Sequence, residues 1–422
     1  MEVIVLAGGL GTRLRSVVHE IPKCLAPVGE KPFLGYLLNW LQGQGVNHVV
    51  FSVGYLREQV IAYVQGREWT FTYDFAIEET PLGTGGGIRL ALSKCHENQV
   101  FVANGDTFFP VNLNAMPFTH AVTLALKPMK DFDRYGSVSV QQASARPAAS
   151  ENYFSEGFPK NQFSEAIANP SHADALQVTA FQEKQHCEEG LINGGVYAID
   201  RSRLDLSSLP ERFSFEKEVL EPGAAIGEIG GWVSGAYFID IGIPEDYALA
   251  QWAIPAWFAV QKASEAVLKA DATTLFLDRD GVLNRHLEGD YVRTPEMWEW
   301  MPGILTALAG WSRKFRHIVL VTNQRGVGKG LMTDAQLAQV HAHMMQGVLE
   351  AGGRIDLILT CTAVSEEDPR RKPNPGMFYE ACQLFPDIDA KSSVMLGDAP
   401  SDAAFAKNCG ITFILLNPEA AF

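Results

Sequence analysis

The chain has 422 residues, well beyond the roughly 150 of a typical domain, so it must hold more than one compact unit. With 47% hydrophobic and 20% charged residues, its composition is globular and excludes a mainly disordered or fibrous chain. Lys plus Arg number 34 against 49 Asp plus Glu, a net charge of -15, which disfavours a nucleic-acid partner and confines any phosphate site to a local arrangement.

The six cysteines, Cys24, Cys95, Cys187, Cys361, Cys382 and Cys409, show no CxxC or CxH spacing, so neither a disulfide framework nor a tetrahedral zinc site is expected. The start, Met1 to Leu6, lacks a basic leader and runs straight into glycines. No window reaches the ~18 apolar residues of a membrane span. A cytoplasmic protein in a reducing compartment, without a membrane partner, is the expectation. Nothing in the sequence speaks to oligomeric state.

In chain order, β-branched runs at Val3 to Ala7, Val49 to Val53 and Val100 to Ala103 alternate with helical patterns such as Phe33, Leu34, Leu37, Leu38 and Leu41 after Pro32. That alternation predicts a parallel sheet flanked by helices. The segment 141–174 is rich in Ser, Ala, Asn and Pro and reads as an irregular insertion. A second series begins at Thr274 to Leu277 and continues at Ile318 to Val321, Leu357 to Leu359, Val394 to Leu396 and Ile411 to Leu416. The expected organisation is a first domain over 1–254, a helical linker over 255–271 and a second domain over 272–422.

At the exit of the first strand stands Leu6-Ala7-Gly8-Gly9-Leu10-Gly11-Thr12-Arg13, whose glycines expose backbone N–H groups to a phosphate while Arg13 adds charge. A glycine-rich turn made only for packing is the bland alternative. Lys23, held between Pro22 and Pro27, is poorly explained by packing and suits a cation placed on a phosphate. A dinucleotide fold would want an acidic residue at the end of a second strand; Pro27-Val28-Gly29-Glu30 is a poor match.

The string GGLGTRL followed by PK resembles the sugar-1-phosphate nucleotidyltransferase family. Glu79-Thr80-Pro81-Leu82-Gly83-Thr84, Asn104-Gly105-Asp106, Glu183-Lys184, Asn193-Gly194-Gly195 and Phe238-Ile239-Asp240 follow in the family's order. Within the family, LAGGLGTRLRSVV at 6–18, the Ile21-Pro22-Lys23 turn and GTGGGI at 83–88 make the chain most similar to the guanylyltransferases of D-glycero-D-manno-heptose 1-phosphate. The resemblance implies a Rossmann-like, GT-A-like mixed sheet over nearly all of residues 1–250. It implies nucleotide binding by Leu6, Ala7, Gly8, Gly9, Gly11, Thr12, Arg13, Lys23, Glu79, Pro81, Gly83, Thr84, Gly105 and Asp106. Glu183, Lys184, Asn193 and Gly195 would hold the sugar phosphate, Asp106 and Asp240 would hold Mg²⁺, and Arg13 with Lys23 would be catalytic.

The second half opens with the apolar strand Leu275-Phe276-Leu277 and then Asp278-Arg279-Asp280-Gly281. Positions i and i+2 of a strand share a face, so both carboxylates can reach one cation. Thr322-Asn323, Arg371-Lys372-Pro373 and Gly397-Asp398 follow at the ends of later apolar runs. Arg325 to Gly330 lacks the first glycine and the hydroxyl residue of a P-loop. Together the four acidic, hydroxyl and basic strings resemble the haloacid dehalogenase phosphatase superfamily, and Asp290-Tyr291-Val292, the Met301-Pro302-Gly303 turn and Thr322-Asn323-Gln324-Arg325-Gly326 resemble the D,D-heptose 1,7-bisphosphate phosphatases and their histidinol-phosphatase relatives. The resemblance implies a second Rossmann-like fold, with Asp278 as nucleophile and Asp280 as general acid and base. Thr322, Asn323, Arg371 and Lys372 would hold phosphate, and Asp278, Asp280 and Asp398, with Asp402 nearby, would hold Mg²⁺. Many such relatives carry a Cys/His zinc loop before the RKP string. Only Cys361 stands there in this chain, so no structural zinc is expected.

The two resemblances imply consecutive steps on one chain: removal of the 7-phosphate from a heptose bisphosphate, then guanylyl transfer from GTP to heptose 1-phosphate, with Mg²⁺ in both domains. Two alternatives remain at this stage. One keeps both chemistries on mannose or another hexose phosphate with CTP, UTP or dTTP; the other is a non-catalytic sugar-nucleotide-binding regulator.

Overall fold

A computed structural model describes residues 1–9, 14, 17–18, 20–142, 176–182 and 184–418. The segment 143–175, most of the expected insertion, lies outside the described residues, as do Gly11, Thr12, Arg13 and Glu183. The chain divides into Met1–Gln251 and Trp252–Phe422, and both units are α/β. Among the described residues no helix is long and apolar enough to cross a membrane.

The strands of the first unit are β1 (Glu2–Leu6), β2 (Pro27–Val28), β3 (Lys31–Pro32), β4 (His48–Val53), β5 (Thr72–Ile77), β6 (Gln99–Asn104), β7 (Thr107–Phe108), β8 (Val122–Phe132), β9 (Val138–Gln141), β10 (Leu176–Phe181), β11 (Cys187–Asp200), β12 (Ile229–Val233) and β13 (Ile239–Asp240). Nine of them form one mixed sheet in the order β5-β4-β1-β6-β11-β8-β12-β10-β9. Strands β5, β4, β1 and β6 are mutually parallel, and β11 runs antiparallel to β6 and β8. Residues Val3 to Val5 and Val49 to Phe51 are fully buried, because helices cover parallel strands on both faces and leave no position for alternation. The helix Phe33–Gly43 starts directly after Pro32 and buries Phe33, Leu34, Leu37, Leu38 and Leu41, the helical period seen in the sequence.

Strands β8 and β11 were not legible in the sequence. Strand β8 carries Pro128, which lacks a ladder donor; at that point β8 pairs only with β11, while β12 reaches no further than Leu126. Strand β11 contains Gly190, Gly194 and Gly195, and its register against β8 shifts between Asn193 and Tyr197.

The second unit has β14 (Thr274–Leu277), β15 (His317–Asn323), β16 (Leu357–Cys361), β17 (Ser393–Gly397) and β18 (Thr412–Leu415), in the order β16-β15-β14-β17-β18 with every pair parallel. Alternate strand residues supply two cores. Leu275, Leu277, Ile318, Leu320, Val394 and Leu396 join one, while Phe276, Val319, Val321 and Met395 join the other. The sheet is therefore buried on both faces. Ala256, Ala259, Val260, Ala263 and Val267 of the helix Pro244–Lys269 pack into the first of these cores, and Trp311 donates its indole N–H to Ser264 at 3.1 Å.

In both sheets the first strand lies between neighbours from opposite directions of winding, and ligand crevices form at the carboxyl ends of strands at such a reversal. The ends of β1 and β6, and of β14 and β17, are those places.

Candidate active sites

In the first unit, Gly105 follows β6 and donates its N–H to the Leu6 carbonyl at 2.9 Å. A Cβ at this position would stand 2.5 Å from the same carbonyl oxygen, so only glycine lets the chain pass the end of β1. Asp106 comes next. The short antiparallel pair β7 and β13 sets Asp240 opposite Thr107 and so brings two carboxylates distant in sequence to one place. Lys23, presented by the 3₁₀ turn Lys23–Leu25 after Pro22, lies between them, 2.5 Å from Asp106 Oδ2 and 3.3 Å from Asp240 Oδ1.

Burial raises the pKa of Asp240 and Asp106 adds to the rise, and together they outweigh Lys23 and the Gly242 N–H. One lysine against two carboxylates leaves a negative charge unbalanced. The donor set, hard oxygens with a charge deficit, fits a divalent cation of the Mg²⁺ type.

The other residues expected here divide. Leu6 ends β1, and Ala7 donates its N–H to the Ser52 carbonyl at 2.8 Å, ahead of Gly8 and Gly9. The Glu79 carboxylate is held by Arg57 at 3.0 Å, and Pro81 is exposed. Thr84 donates its hydroxyl to Glu216 at 2.7 Å and accepts the Phe215 N–H at 2.9 Å, which ties the loop around Gly83 to the 213–216 segment. Asn193 donates to the Tyr197 hydroxyl at 2.9 Å and accepts the Gly195 N–H at 3.0 Å; Gly195 passes close to Asn104, the residue that ends β6. Lys184 is exposed.

In the second unit, β14 delivers Asp278 and β17 delivers Asp398 at adjacent strand ends. Gly281, at φ +83°, turns so close to Asp398 that a Cβ would collide with its carboxylate, which explains the glycine after the second acid. Oxygens of Asp278, Asp398 and Asp402 lie within 4.8 Å of one another. Lys372 Nζ, 2% exposed, is 2.7 Å from Asp278 and 2.6 Å from Asp402. Burial alone would lower its pKa, but the two carboxylates hold it above the usual lysine value.

Burial raises Asp278; Lys372 opposes the rise, and Asp402, Asp398 and Asp280 add to it. Burial and Asp402 push Asp398 up to about 6. Three carboxylates and one lysine leave two negative charges in a buried place, the deficit that one divalent cation fills.

The Asp280 carboxylate is held by a different set of partners. Arg279 donates to both of its oxygens at 2.9 and 3.0 Å, Asn284 at 3.0 Å and Gln324 at 2.7 Å. Burial alone would raise its pKa, but Arg279 and these hydrogen bonds lower it overall. Its carboxylate is not part of the three-acid group. Arg279 is fully buried and also donates to His341 Nε2 at 3.3 Å; burial and that guanidinium push His341 down to about 4, so its ring is a neutral acceptor.

Thr322 is fully buried, and its hydroxyl accepts from Gln324 at 2.9 Å. The Asn323 amide clamps the Lys372 backbone, donating to its carbonyl and accepting its N–H, each at 3.0 Å. Arg371 is buried and reaches the Ala363 carbonyl at 3.5 Å.

Residues 3–117 match the MobA-like NTP transferase domain, and residues 274–422 match Polynucleotide kinase 3 phosphatase. Over 256 residues, 60% of this chain and 97% of the relative, the chain is 41% identical to the D-glycero-alpha-D-manno-heptose 1-phosphate guanylyltransferase of Aneurinibacillus thermoaerophilus. Over 135 residues, 32% of this chain and 71% of the relative, it is 40% identical to the D-glycero-alpha-D-manno-heptose-1,7-bisphosphate 7-phosphatase of Mycobacterium bovis. The chain belongs to both families, one in each unit. A solved structure, the D,D-heptose 1,7-bisphosphate phosphatase of B. bronchiseptica complexed with magnesium and phosphate, is 32% identical, with TM-score 0.32, covering 34% of this chain and 79% of that one.

Several residues of the guanylyltransferase and phosphatase units escaped sequence reasoning. In the guanylyltransferase unit Glu78 accepts from Ser52 Oγ and from the Leu82 N–H, each at 3.0 Å, and its carboxylate lies against Gly8 and Gly87, with its Cβ near Gly54. An acid at the end of a strand was the available signal, but the adjacent Glu79 carried the same one. In the phosphatase unit Arg279, Asn284 and Gln324 surround Asp280. Arg279 left a trace as a charge between two acids at the end of an apolar strand, and Gln324 as one of the two amides that follow Thr322; their convergence on Asp280 left none.

Proposed function

We propose that this chain is a bifunctional Mg²⁺-dependent enzyme of nucleotide-activated heptose synthesis. The second unit hydrolyses the 7-phosphate of D-glycero-D-manno-heptose 1,7-bisphosphate, and the first transfers a guanylyl group from GTP to the resulting heptose 1-phosphate, releasing pyrophosphate. The observation that carries the reading is the pair of charge-deficient carboxylate clusters, Asp278/Asp398/Asp402 around Lys372 and Asp106/Asp240 around Lys23, each in a unit of the corresponding family.

When bound, Mg²⁺ supplies charge neutralisation to the phosphates, held by Asp278 and Asp398 in the phosphatase unit and by Asp106 and Asp240 in the other. In the phosphatase unit an Asp278 oxygen attacks the phosphorus, the sugar alkoxide leaves, and water then opens the aspartyl phosphate. Lys372 neutralises the nucleophile and the transferred oxygens, and Asn323 fixes the Lys372 backbone. Asp280, ionised beside Arg279, is ready to take a proton from the attacking water. Donation to the leaving oxygen requires that Asp280 be protonated first, and the incoming phosphate charge raises its pKa in that direction.

In the guanylyltransferase unit the sugar phosphate oxygen attacks the α-phosphorus in line. Lys23 offsets the triphosphate charge together with Arg13, the glycine-rich turn offers backbone N–H groups, and exposed Lys184 meets the incoming sugar phosphate. Guanine presents N1–H and N2–H donors, and the Glu78 carboxylate is the matching acceptor on the glycine-lined side.

Mass spectrometry of the products formed from the bisphosphate, Mg²⁺ and GTP, with ATP, CTP, UTP and dTTP in parallel, tests the assignment. GDP-heptose, phosphate and pyrophosphate are expected with GTP. Phosphate release without any nucleotide sugar would overturn the guanylyl assignment, and no turnover at all would overturn both.

A further inference from the structure

At the amino ends of β1 and β4, the end of the sheet opposite Asp106, three metal-ligating side chains meet. Glu2 pairs with His48 across the two strands, and His96 lies just before β6. A carboxylate oxygen of Glu2 and a ring nitrogen from each histidine lie within 4.8 Å of one another. Glu2 is 2% and His48 8% exposed. The Glu2 carboxylate is already oriented, accepting the His96 N–H at 2.8 Å and the Glu97 N–H at 2.7 Å.

The hydrogen bonds around His48 determine which nitrogen carries its lone pair. The Thr72 hydroxyl donates its proton to the Asn47 carbonyl at 3.2 Å. It therefore accepts from His48 Nδ1–H, 2.9 Å away, and in the neutral ring the lone pair sits on Nε2. That atom is buried and has no hydrogen-bond partner, while Asp74 Oδ2 is 3.7 Å off and the His96 ring centroid is 5.4 Å from that of His48. A buried ring nitrogen beside the Asp74 carboxylate is unfavourable unless a proton or a metal ion occupies it. A backbone-oriented carboxylate and an imidazole whose far nitrogen is held by a hydroxyl are the outer-shell arrangement of a metal ligand set.

We propose that Glu2, His48 and His96 bind a borderline divalent transition-metal ion, of the Zn²⁺ or Co²⁺ class, at a site separate from both carboxylate clusters. Two imidazoles and a carboxylate favour such ions over Mg²⁺ or Ca²⁺. Ligand bonds of about 2.0–2.2 Å require the donors to draw together by about 1 Å, an adjustment that exposed His96 supplies. The ion would fasten β1, β4 and the start of β6 far from the chemistry. The histidines are too distant in sequence for a search of short Cys/His spacings to find them.

The test is a Co²⁺ titration of the full chain, freed of metal by chelation and then saturated with Mg²⁺ to fill the carboxylate clusters. One equivalent of cobalt with visible d–d absorption is expected, displaced by Zn²⁺ and accompanied by a rise in Tm. His96→Ala, an exposed change, should lose that equivalent and its absorption while retaining both turnover rates; His48→Gln should lose it as well, and Asp278→Asn should keep it. Cobalt stoichiometry and spectrum unchanged in His96→Ala, or no cobalt bound beyond what Mg²⁺ displaces, would overturn the proposal.

Discussion

Lys372 Nζ stands 2.7 Å from Asp278 and 2.6 Å from Asp402, and all three side chains are nearly or fully withdrawn from solvent. The lysine thus holds the proposed nucleophile against a carboxylate that has no other cation within salt-bridge distance among the described residues. Lys372→Met should abolish phosphate release and destabilise the second unit by about 3–5 kcal/mol, the cost of removing one partner from a buried ion pair. Calorimetry of the full chain should show the second unit's transition falling while guanylyl transfer from heptose 1-phosphate persists.

Asp280 offers a separate test, because its carboxylate faces Arg279, Asn284 and Gln324 rather than the three-acid group. Asp280→Asn should lower phosphatase turnover by about 10²–10⁴-fold, the usual worth of a general acid–base. Mg²⁺ affinity, measured by calorimetric titration, should change little. A large loss of Mg²⁺ affinity would place the Asp280 side chain among the ligands instead.

The buried carboxylates also predict a pH dependence. Burial raises Asp278 and, together with Asp402, brings Asp398 to about 6, so between the ordinary aspartate range and those values the folded chain binds more protons than the unfolded one. Without Mg²⁺ these groups therefore favour folding at low pH and lose that contribution as pH rises through 6 and beyond. Mg²⁺ must displace the same protons. Its affinity for the second unit should rise across this window, with proton uptake by the buffer visible in titrations performed in buffers of different ionisation enthalpy.

Glu78 is the residue on which base choice should turn. Glu78→Gln removes the charged acceptor for guanine while preserving size, and losing a hydrogen bond to a charged group costs about 1.5–3 kcal/mol. The kcat/KM for GTP should fall about 10–150-fold, with smaller changes for the other nucleotides. Equal losses across all nucleotides would mean that Glu78 supports the loop without reading the base.

The parts of the molecule legible in its sequence share a local cause. A short apolar strand followed at once by acids or glycines marks both crevices, since one strand and its next turn contain the whole signal; β1 with Gly8 and Gly9, and β14 with Asp278 to Gly281, are the examples. What stayed hidden depends on pairing between distant segments. Gln324 reaches Asp280 across 44 positions, and Asn323 clamps Lys372 across 49. Glu78 and Glu79 are indistinguishable until the fold turns one toward glycines and gives the other to Arg57. Strands β8 and β11 were obscured by Pro128 and by three glycines, which weaken strand patterns where the sheet tolerates them at a bulge or a one-sided pairing.

The most direct test of two separate chemistries on one chain is product analysis of two single variants given heptose bisphosphate, GTP and Mg²⁺. Asp106→Asn should release phosphate and accumulate heptose 1-phosphate with no GDP-heptose. Asp278→Asn should leave the bisphosphate intact, yet form GDP-heptose when heptose 1-phosphate is supplied. If Asp278→Asn also abolished transfer to supplied heptose 1-phosphate, or Asp106→Asn abolished phosphate release in a folded protein, the assignment of one reaction to each unit would be contradicted.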